Sequence, residues 1–391
     1  MSKIRLFGTS SGYVEIAPAA AASNNTLTAP STVGEIIAKD AAGAIGITSM
    51  KSSNVNVGAA VTITESGIEA SGIGITCANI NGGKIGGRRN LVINGSMLIA
   101  QRSTSSTSNG YQTVDRYNMN VSGADEAPTI AQVDVSSSDS GDNPFTKGLS
   151  KAIRVTNGNQ TSGAGAGDRI RFWTLLEARD MRNSGWSYTS TSSYVTLSFY
   201  VKSSVSQNFY IRLTTGDGTS QSYIVETGTL TANTWTRVVK TIPGNSNLQF
   251  DDDINAGLYI VFVPFRGTDN TGTRPLNAWA AFNASVRMPD NTSTWYTTND
   301  ATFEITGVQL EVGSVATDFE HRSFQEELKF CERYHRRIGS FNGVAASTTQ
   351  VQAGIVISPE MRATPSVSLV PSSSARVTDC SHADYQNTGP T

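Results

Sequence analysis

The chain has 391 residues, and its 30 Lys and Arg side chains nearly balance 32 Asp and Glu side chains, giving a formal charge of −2. This balance argues against nucleic acid as the main partner, since nucleic acids bind basic faces. No apolar run approaches the ~18 residues of a membrane span, which argues against membrane insertion. The cysteines Cys77, Cys331 and Cys380 are far apart, which excludes a disulfide framework and favours folding in a reducing cytoplasm.

Residues 1–50 predict an extended segment that has little core of its own. The segment 13–16 has the alternation of a strand, and Pro18 ends that pattern. The small residues after Pro18 cannot bury enough apolar surface to fold alone. We therefore expect this segment to need a partner, either further copies of itself or a larger assembly.

Residues 51–89 combine spaced isoleucines with many glycines. The isoleucines that we assign to one axis are Ile63, Ile68, Ile73, Ile80 and Ile85. Their spacing does not match a helix, in which each glycine would also cost about 1 kcal/mol. A single chain has no second layer to cover them, so we interpret the segment as a narrow β shaft of several intertwined chains. The alternative is a flexible glycine-rich linker.

Residues 90–321 change to short strands separated by turn sequences. The clearest predicted strands are 194–201, 209–213, 223–226, 234–239, 258–263 and 302–310. Regular short strands with almost no helical periodicity predict a mainly β fold, here a jelly-roll β-sandwich. In this pattern Phe199 and Trp235 are core residues. Residues 171–182 are ambiguous between a strand and a helical turn.

Residues 322–338 predict the one short helix of the chain, which connects the sandwich to the C-terminal region. Ser323 is its expected N-cap, and Glu326 lies three residues later, as a capping box requires. Arginines crowd its last turn, where cations interact favourably with the helix dipole. At about fifteen residues it would span only ~22 Å, too short for a long coiled coil.

Residues 339–391 predict a small C-terminal β domain. Strands are expected at 350–357, 366–370 and 375–378, followed by a polar loop from 379. Two or three strands do not make a stable sandwich. We expect this domain either to complete itself between subunits or to continue in a longer natural chain.

The sequence contains no motif that predicts catalysis. It has no Gly-x-Ser-x-Gly elbow, Walker loop or His-Glu-x-x-His pair, so we expect no enzyme and no cofactor. The run 251–253 consists of three aspartates whose side chains alternate in an extended segment, which favours a solvated turn over a calcium loop. Cys331 and His335 at helical spacing, with Cys380 and His382, leave a structural zinc as an alternative, although we expect no metal.

A group of aromatic and amide side chains forms the predicted ligand site. An exposed ring stacks on the apolar face of a sugar, while amides and carboxylates bind its hydroxyl groups. The candidates for such a glycan site are Trp295, Tyr296, Trp279, Asp290, Asn291 and Asn299. Aromatic residues in a sandwich are nevertheless more often core. Since the net charge is near zero, we expect glycan binding to depend little on salt.

Five phrases of the sequence resemble the tail-fibre and related virion proteins of bacteriophages. The phrases are Arg-Asn-x-x-x-Asn-Gly at 89–95, Ala-Gln-Arg with Asp-Arg-Tyr at 100–102 and 115–117, Gln-Leu-Glu-x-Gly with Ala-Thr-x-Phe-Glu at 309–313 and 316–320, the helix at 326–334, and Met-Arg-Ala-Thr-Pro at 361–365. The segments 197–202 and 235–237 also resemble jelly-roll carbohydrate-binding modules. The resemblance covers about residues 85–370.

This resemblance implies a homotrimeric fibre in the virion, folded and assembled in the host cytoplasm. Residues 1–50 would then dock on a tail, baseplate or adaptor protein, and the distal β domains would face host surface polysaccharide. Two alternatives remain open at this point. One is a tailspike-like depolymerase, which usually needs a long β-helix with paired carboxylates, and the other is a neck or head appendage that touches no receptor.

The shaft interpretation makes a prediction about oligomeric state. Replacing Ile73 and Ile80 with Asp should dissociate the trimer and leave the sandwich folded, because an unpaired charge is far more costly to bury than an aliphatic side chain is to lose. Analytical ultracentrifugation would measure the mass. A wild-type chain that sediments as a monomer at micromolar concentration would contradict the shaft.

Overall fold

The computed structural model describes residues 4–7, 13–16, 88–339, 344–345, 351–352, 354, 358–367, 375–378 and 384–387. The chain divides into two units, Met1–Ile75 and Thr76–Thr391. In the first unit, β1 (Ile4–Phe7) pairs with β2 (Tyr13–Ile16) as an antiparallel hairpin, which confirms the predicted strand at 13–16. The five isoleucines of the predicted shaft lie outside the described residues.

Two sheets form the β-sandwich of the second unit. Its strands are β3 (Ser105–Ser106), β4 (Asn118–Ser122), β5 (Thr129–Asp134), β6 (Ser140–Gly141), β7 (Lys151–Thr156), β8 (Arg169–Glu177), β9 (Tyr194–Ser203), β10 (Asn208–Thr215), β11 (Gln221–Thr229), β12 (Thr234–Pro243), β13 (Ala256–Arg266), β14 (Trp279–Ala281) and β15 (Thr302–Val312). The six-stranded sheet has the order β14-β11-β10-β13-β8-β4, and the seven-stranded sheet has the order β3-β5-β7-β15-β9-β12-β6. The chain crosses repeatedly between the sheets, which confirms the predicted mainly β sandwich.

The core lies between the two sheets and is rich in aromatic rings. Phe172 and Phe262 of the six-stranded sheet stack with ring centroids 5.2 Å apart. Phe199 of the seven-stranded sheet meets Phe262 edge-on at 5.4 Å, so the contact joins the sheets. Phe199 and Trp235 are buried as predicted, with Trp235 lying in a smaller cluster beside Tyr200.

Three α-helices accompany the strands within the described residues. They are α1 (Ala178–Arg182), α2 (Thr294–Thr297) and α3 (Phe324–Glu332), and 3-10 turns occur at Pro144–Lys147 and Thr268–Asn270. The ambiguous segment 171–182 contains both structures, because β8 ends at Glu177 and α1 follows directly. The capping box of Ser323 and Glu326 is confirmed. The predicted helix of about fifteen residues is wrong in length, since α3 has nine residues and ends at Glu332.

Helix α3 packs on the sandwich through a buried carboxylate at the end of β8. Glu177 accepts two hydrogen bonds from the Arg333 guanidinium, at 3.1 and 3.0 Å, and a third from the Tyr334 hydroxyl. The ring of Tyr334 lies 3.4 Å from the Arg116 guanidinium. Burial would raise the pKa of Glu177, but these donors and the nearby positive charges lower it below its usual value.

The Asn-Gly phrase near the start of the sandwich joins the first and last parts of this domain. The Asn90 side chain donates to the Val308 carbonyl at 3.0 Å and accepts from the Leu310 amide at 3.1 Å. Gly95 approaches the same strand, where a Cβ atom would lie 2.1 Å from the Val308 carbonyl oxygen. The backbone amide of Asn94 donates to Glu327 of α3, so the phrase serves the packing of strand and helix.

Four short strands come after α3 in the described part of the C-terminal region. Strand β16 (Val344–Ala345) pairs with β17 (Val351–Gln352), and β18 (Ala375–Thr378) pairs with β19 (Asp384–Asn387). The predicted strand at 375–378 is confirmed. The prediction of a polar loop from 379 is wrong at β19, because that segment completes a hairpin with β18. The strand predicted at 366–370 is not present at Ser366 and Val367, which lie outside any strand.

Removing the charge of Glu177 should loosen the attachment of α3. We expect Glu177→Gln to lower the free energy of unfolding at neutral pH by roughly 1.5–3 kcal/mol, since a charge-assisted hydrogen bond is replaced by a neutral one. Because the pKa of Glu177 is lower in the folded chain than its ordinary value of 4.5, its contribution is present at neutral pH and is lost as the pH falls from 4.5 through the folded pKa.

Urea unfolding of the variant and the wild type at neutral and acid pH would measure this difference. The exposed Asp252→Asn change is the matched control and should have no effect. A destabilisation by Glu177→Gln that stays equally large in acid would contradict the role of the ionised carboxylate.

Candidate functional site

The two leading candidates for a sugar platform, Trp295 and Tyr296, are buried in the core. Both side chains have 0% exposure. The Trp295 indole donates to the Thr302 carbonyl at 2.9 Å, and the Tyr296 ring stacks on Phe265 with centroids 4.1 Å apart. Helix α2 turns both rings inward, so they have no free face for a sugar. The prediction that they form an exposed platform is wrong.

The other predicted site residues are dispersed around the sandwich. Trp279, on edge strand β14, is half-buried against Tyr223 and donates to the Pro243 carbonyl at 2.7 Å. Asp290 is exposed and accepts from the Thr271 hydroxyl. Asn291 is half-buried, and its side-chain oxygen has no hydrogen-bond partner among the described residues. Asn299 is exposed and donates to Asp300. No contact among these residues gathers them into one site, and their glycan role stays a prediction.

A different surface gathers the side chains that suit a ligand. We define the outer face as the side of the six-stranded sheet that is turned away from the seven-stranded sheet. Along β8, Ile170 and Phe172 are buried in the core, while Arg169, Arg171 and Trp173 alternate with them and are half-buried. Since alternate residues of a strand point to opposite faces, these three side chains lie on the outer face.

Trp173 is the aromatic centre of the outer face. It pairs in register with Asn118 on edge strand β4, so that an amide lies beside the ring. The Asn118 side chain has no hydrogen-bond partner among the described residues. An apolar cluster of Ile224, Val261, Val263 and Met288 lies next to Trp173, Tyr210 and Tyr259. An accessible ring beside a free amide is the combination that recognises the apolar face and the hydroxyl groups of a sugar.

Six arginines lie close to one another, and one of them, Arg171, lies beside this aromatic centre. We call them the arginine cluster: Arg169, Arg171, Arg212, Arg266, Arg274 and Arg287. The Nε atoms of Arg169 and Arg171 both donate to Asn120 Oδ1, at 3.0 and 3.1 Å. The Arg171 guanidinium lies 5.1 Å from the centroid of the Trp173 ring. The cluster therefore joins the aromatic centre at β8.

Two members of the cluster are almost completely buried. Arg212 is 5% exposed and Arg266 is 3% exposed. Burial, and then the charges of other arginines, lowers the pKa of Arg212 and Arg266 to about 9 and that of Arg171 to about 10. All three remain protonated at neutral pH, so the lowered pKa values indicate that the folded chain holds these charges together at a free-energy cost.

A cavity of about 310 Å³ lies between α3 and the sandwich. Its lining includes Asp115, Arg116, Tyr334 and His335, most of which belong to the phrases that carry the phage resemblance. Burial lowers the pKa of His335 to about 4, with the positive charges of nearby arginines acting in the same direction. Because Arg116 and Tyr334 stack on each other here, we interpret the cavity as part of the attachment of α3.

Metal ligands are not gathered anywhere in the described residues. Cys331 is buried in α3, and burial raises the pKa of its thiol. Its predicted zinc partners Cys380 and His382 lie outside the described residues. The aspartates 251–253 occupy an irregular segment, in which Asp253 accepts from Asn255.

The sequence contained one usable signal for the outer face. Arg169, Arg171 and Trp173 alternate with apolar residues, which is the pattern of a strand with one buried side. The segment 171–182 was ambiguous because this strand runs directly into α1. Arg212 and Arg266 gave no signal, since only the pairing of β10 and β8 with β13 brings them to the same face.

No protein-family model matches the chain, and no curated protein matches its sequence. Solved structures that resemble part of it include the enzymatically active domain of a tailspike protein of bacteriophage CBA120, with a TM-score of 0.29 and 11% identity over 57% of this chain and 21% of that one. The baseplate tripod of bacteriophage Tuc2009 has a TM-score of 0.27 and 10% identity, over 61% of this chain and 59% of that one. A third structure is a family 11 carbohydrate-binding module of Clostridium thermocellum in complex with a mixed-linked tetrasaccharide. It has a TM-score of 0.24 and 12% identity, over 55% of this chain and 98% of that one.

The chain thus spans about a fifth of the tailspike structure. Structural neighbours include phage tailspike and baseplate proteins and carbohydrate-binding modules. Because the TM-scores and the sequence identities are low, we argue the function from the side chains of the outer face and not from these neighbours. None of the helices in the described residues is long and apolar enough to cross a membrane.

The burial of Trp295 predicts a stability effect. Trp295→Ala should lower the free energy of unfolding by about 3–5 kcal/mol, because it leaves a cavity in the core. Trp279→Ala is the comparison and should cost less, since that ring is half-buried. Thermal unfolding followed by circular dichroism would measure both, and an unchanged melting temperature for Trp295→Ala would contradict the buried position.

Proposed function

We propose that this chain is a structural component of a phage virion, a homotrimeric tail fibre that recognises host surface glycans without cleaving them. Its N-terminal segment would attach to a tail, baseplate or adaptor protein. The five ordered phrases support a virion protein, and the self-insufficient segments 1–50 and 51–89 support assembly with other chains. The sandwich would then present its outer face to the host.

The observation that carries the glycan function is the pairing of Trp173 with Asn118 on the outer face. The ring is half-buried, so it is held by the sheet and keeps accessible area. The Asn118 amide lies directly across the strand pair and can bind a hydroxyl group of a sugar stacked on the ring. Strand β4 is the last named strand on this side of the sheet, and Gly110 pairs with Met119 along its outer edge, so the ligand would contact the face of the sheet and not its edge.

Binding without cleavage is supported by the hydrogen bonds of three buried carboxylates in the sandwich and α3. Glu177 pairs with Arg333 and Tyr334, Glu311 accepts from Thr317, and Glu327 accepts from Asn94. Each of these groups is engaged in holding a segment of the chain. A glycosidase instead needs two carboxyl groups facing one bond of the substrate.

An open site with one stacking ring binds weakly, and assembly compensates for this. Three outer faces on a trimer, and several trimers on a virion, raise avidity by ~10²–10⁴ without any new contact. We therefore expect weak binding by single sandwiches and firm adsorption by the assembled particle.

The experiment is retention of the full chain on immobilised capsular polysaccharides and lipopolysaccharides from a panel of bacteria. Trp173→Ala should reduce retention about tenfold or more, since loss of one stacked ring costs ~1–3 kcal/mol by analogy with bases stacked on aromatic side chains. Phe145→Ala is the matched control, because Phe145 is also aromatic and is 46% exposed, but lies outside the outer face. The melting temperature of Phe145→Ala should stay close to that of the wild type, and that of Trp173→Ala should fall only modestly, because this ring is half-buried against an apolar cluster; retention is therefore measured at a temperature well below both transitions.

Retention that survives Trp173→Ala unchanged would contradict the outer face as the binding surface. The same samples also test for cleavage, through the molar mass of the polysaccharide after incubation. A fall in molar mass with time would show a depolymerase, and would overturn the proposal that the chain only binds.

A further inference from the structure

We propose that the arginine cluster is an oxyanion site that makes the outer face selective for glycans bearing a carboxylate or phosphate group. This inference rests on the proposed glycan function and names the class of glycan that the face selects. The shared chemistry is a planar or tetrahedral oxyanion, which guanidinium groups bind through paired hydrogen bonds.

The first argument is that the cluster has no internal anion. Within the described residues, every hydrogen bond from its six side chains ends on a neutral oxygen. Arg212 donates to the Thr214 hydroxyl and Arg266 to the Asn270 amide oxygen, both within hydrogen-bond distance at 3.0 and 2.9 Å. Arg274 donates to the Ser222 hydroxyl and Arg287 to the Ala284 carbonyl. No salt bridge joins the cluster to an acidic residue of the described chain.

The second argument is that three acidic residues of the six-stranded sheet and the loops beside it already have other partners. Asp168 accepts from the Tyr296 hydroxyl at 3.0 Å and from the Gly165 amide. Asp290 accepts from the Thr271 hydroxyl, and Glu226 accepts from the Asn208 amide at 3.0 Å. These carboxylates are held by neutral donors, although arginines lie on the same side of the sandwich.

The third argument is that unused donors are buried. The Nε and Nη2 atoms of Arg266 have no hydrogen-bond partner among the described residues, and this side chain is only 3% exposed. A buried polar group without a partner is unfavourable, and a charged one more so. The charges that act on Arg212 come from Arg266, Arg171, Arg287 and Arg274. An anion at this place would satisfy the donors and relieve the repulsion together.

The position of the cluster connects it to the sugar site. Arg171 is two residues before Trp173 on the same side of β8, and its guanidinium lies 5.1 Å from the ring centroid. Because this guanidinium lies over one face of the ring, a sugar that binds at Trp173 meets Arg171 there, and an acidic substituent of the sugar can pair with the guanidinium. Arg169 shares the Asn120 oxygen with Arg171, and the buried pair Arg212 and Arg266 lies deeper in the face.

Local charge then outweighs the net charge of the chain. The formal charge of −2 predicts binding with little salt dependence, but the arginine cluster brings six positive charges close together beside the sugar site. Coulomb attraction at an exposed or half-exposed site is screened by salt. Binding of an acidic glycan should therefore weaken as sodium chloride is raised, whereas binding of a neutral glycan should not.

The test compares an acidic oligosaccharide with its neutral form on the full chain. The probes are oligogalacturonate, its methyl ester, and glucose 6-phosphate, with inorganic phosphate as the free anion. The variants are Arg171→Gln and Arg212→Met, and Arg182→Gln is the matched control because Arg182 is an exposed arginine of α1. Isothermal titration gives the affinity, and thermal unfolding gives the stability.

We expect the wild type to prefer oligogalacturonate or glucose 6-phosphate to the methyl ester, and both cluster variants to lose about 30-fold or more of that affinity. Tighter binding of oligogalacturonate would show that the site selects a carboxylate, and tighter binding of glucose 6-phosphate would show that it selects a phosphate. Arg212→Met should also raise the melting temperature by about 2–4 °C without ligand, because it removes a buried charge from a group of like charges. Arg182→Gln should leave both quantities unchanged.

Three outcomes overturn the oxyanion site. The first is that neither oligogalacturonate nor glucose 6-phosphate binds more tightly than the methyl ester, and the second is that affinity is unchanged in Arg171→Gln and Arg212→Met. The third is a lower oligomeric mass in these variants, which would show that acidic residues of another chain fill the cluster. In the first two cases, neutral sugar binding that still requires Trp173 keeps the proposed glycan function. Stabilisation by inorganic phosphate with no sugar bound has the opposite meaning, since it supports the oxyanion site and removes the glycan function.

Discussion

The requirement that alternate side chains of a strand point to opposite faces governs this sandwich, and strand β8 shows it most clearly. Ile170 and Phe172 enter the core, where Phe172 stacks on Phe262. Arg169, Arg171 and Trp173 consequently lie on the outer face, because no other side is left to them. The same strand ends at Glu177, which holds α3 through Arg333 and Tyr334. One strand thus contributes to the core, to the proposed binding surface and to the attachment of the helix.

Two kinds of buried charge in this domain have opposite effects on the stability of the fold. Glu177 is buried with donors that satisfy it, and its pKa lies below the usual value because those donors outweigh the effect of burial. Arg212 and Arg266 are buried among like charges, and their pKa values are lowered. The first arrangement stabilises the fold, whereas the second costs stability. A cost of this kind is common where a protein binds a ligand, since the ligand supplies the missing partner.

The phrases that resemble phage virion proteins have a structural role in this chain. Asn90, Asn94 and Gly95 hold the start of the sandwich to β15 and α3, and Arg116 lies against Tyr334 of the segment after α3. None of these residues lies on the outer face. The resemblance therefore concerns how the domain is held together, and the proposed ligand specificity depends on other residues.

Much of the fold could be predicted from the sequence, but little of the site. The alternation at 194–201 and the capping box at Ser323 are local patterns, and the corresponding elements are present. Trp295 and Tyr296 were misleading because polar neighbours suggested an exposed loop, whereas α2 turns both rings into the core. The arginine cluster depends on strands and loops far apart in the chain, so that only the pairing of the six-stranded sheet could reveal it.

The most direct measurement is a crystal structure of the full chain with bound oligogalacturonate. The account predicts a sugar ring stacked on Trp173, with its carboxylate within hydrogen-bond distance of Arg171 or of the buried Arg266. Sugar bound instead beside Trp279, or in the cavity next to Tyr334, would contradict it.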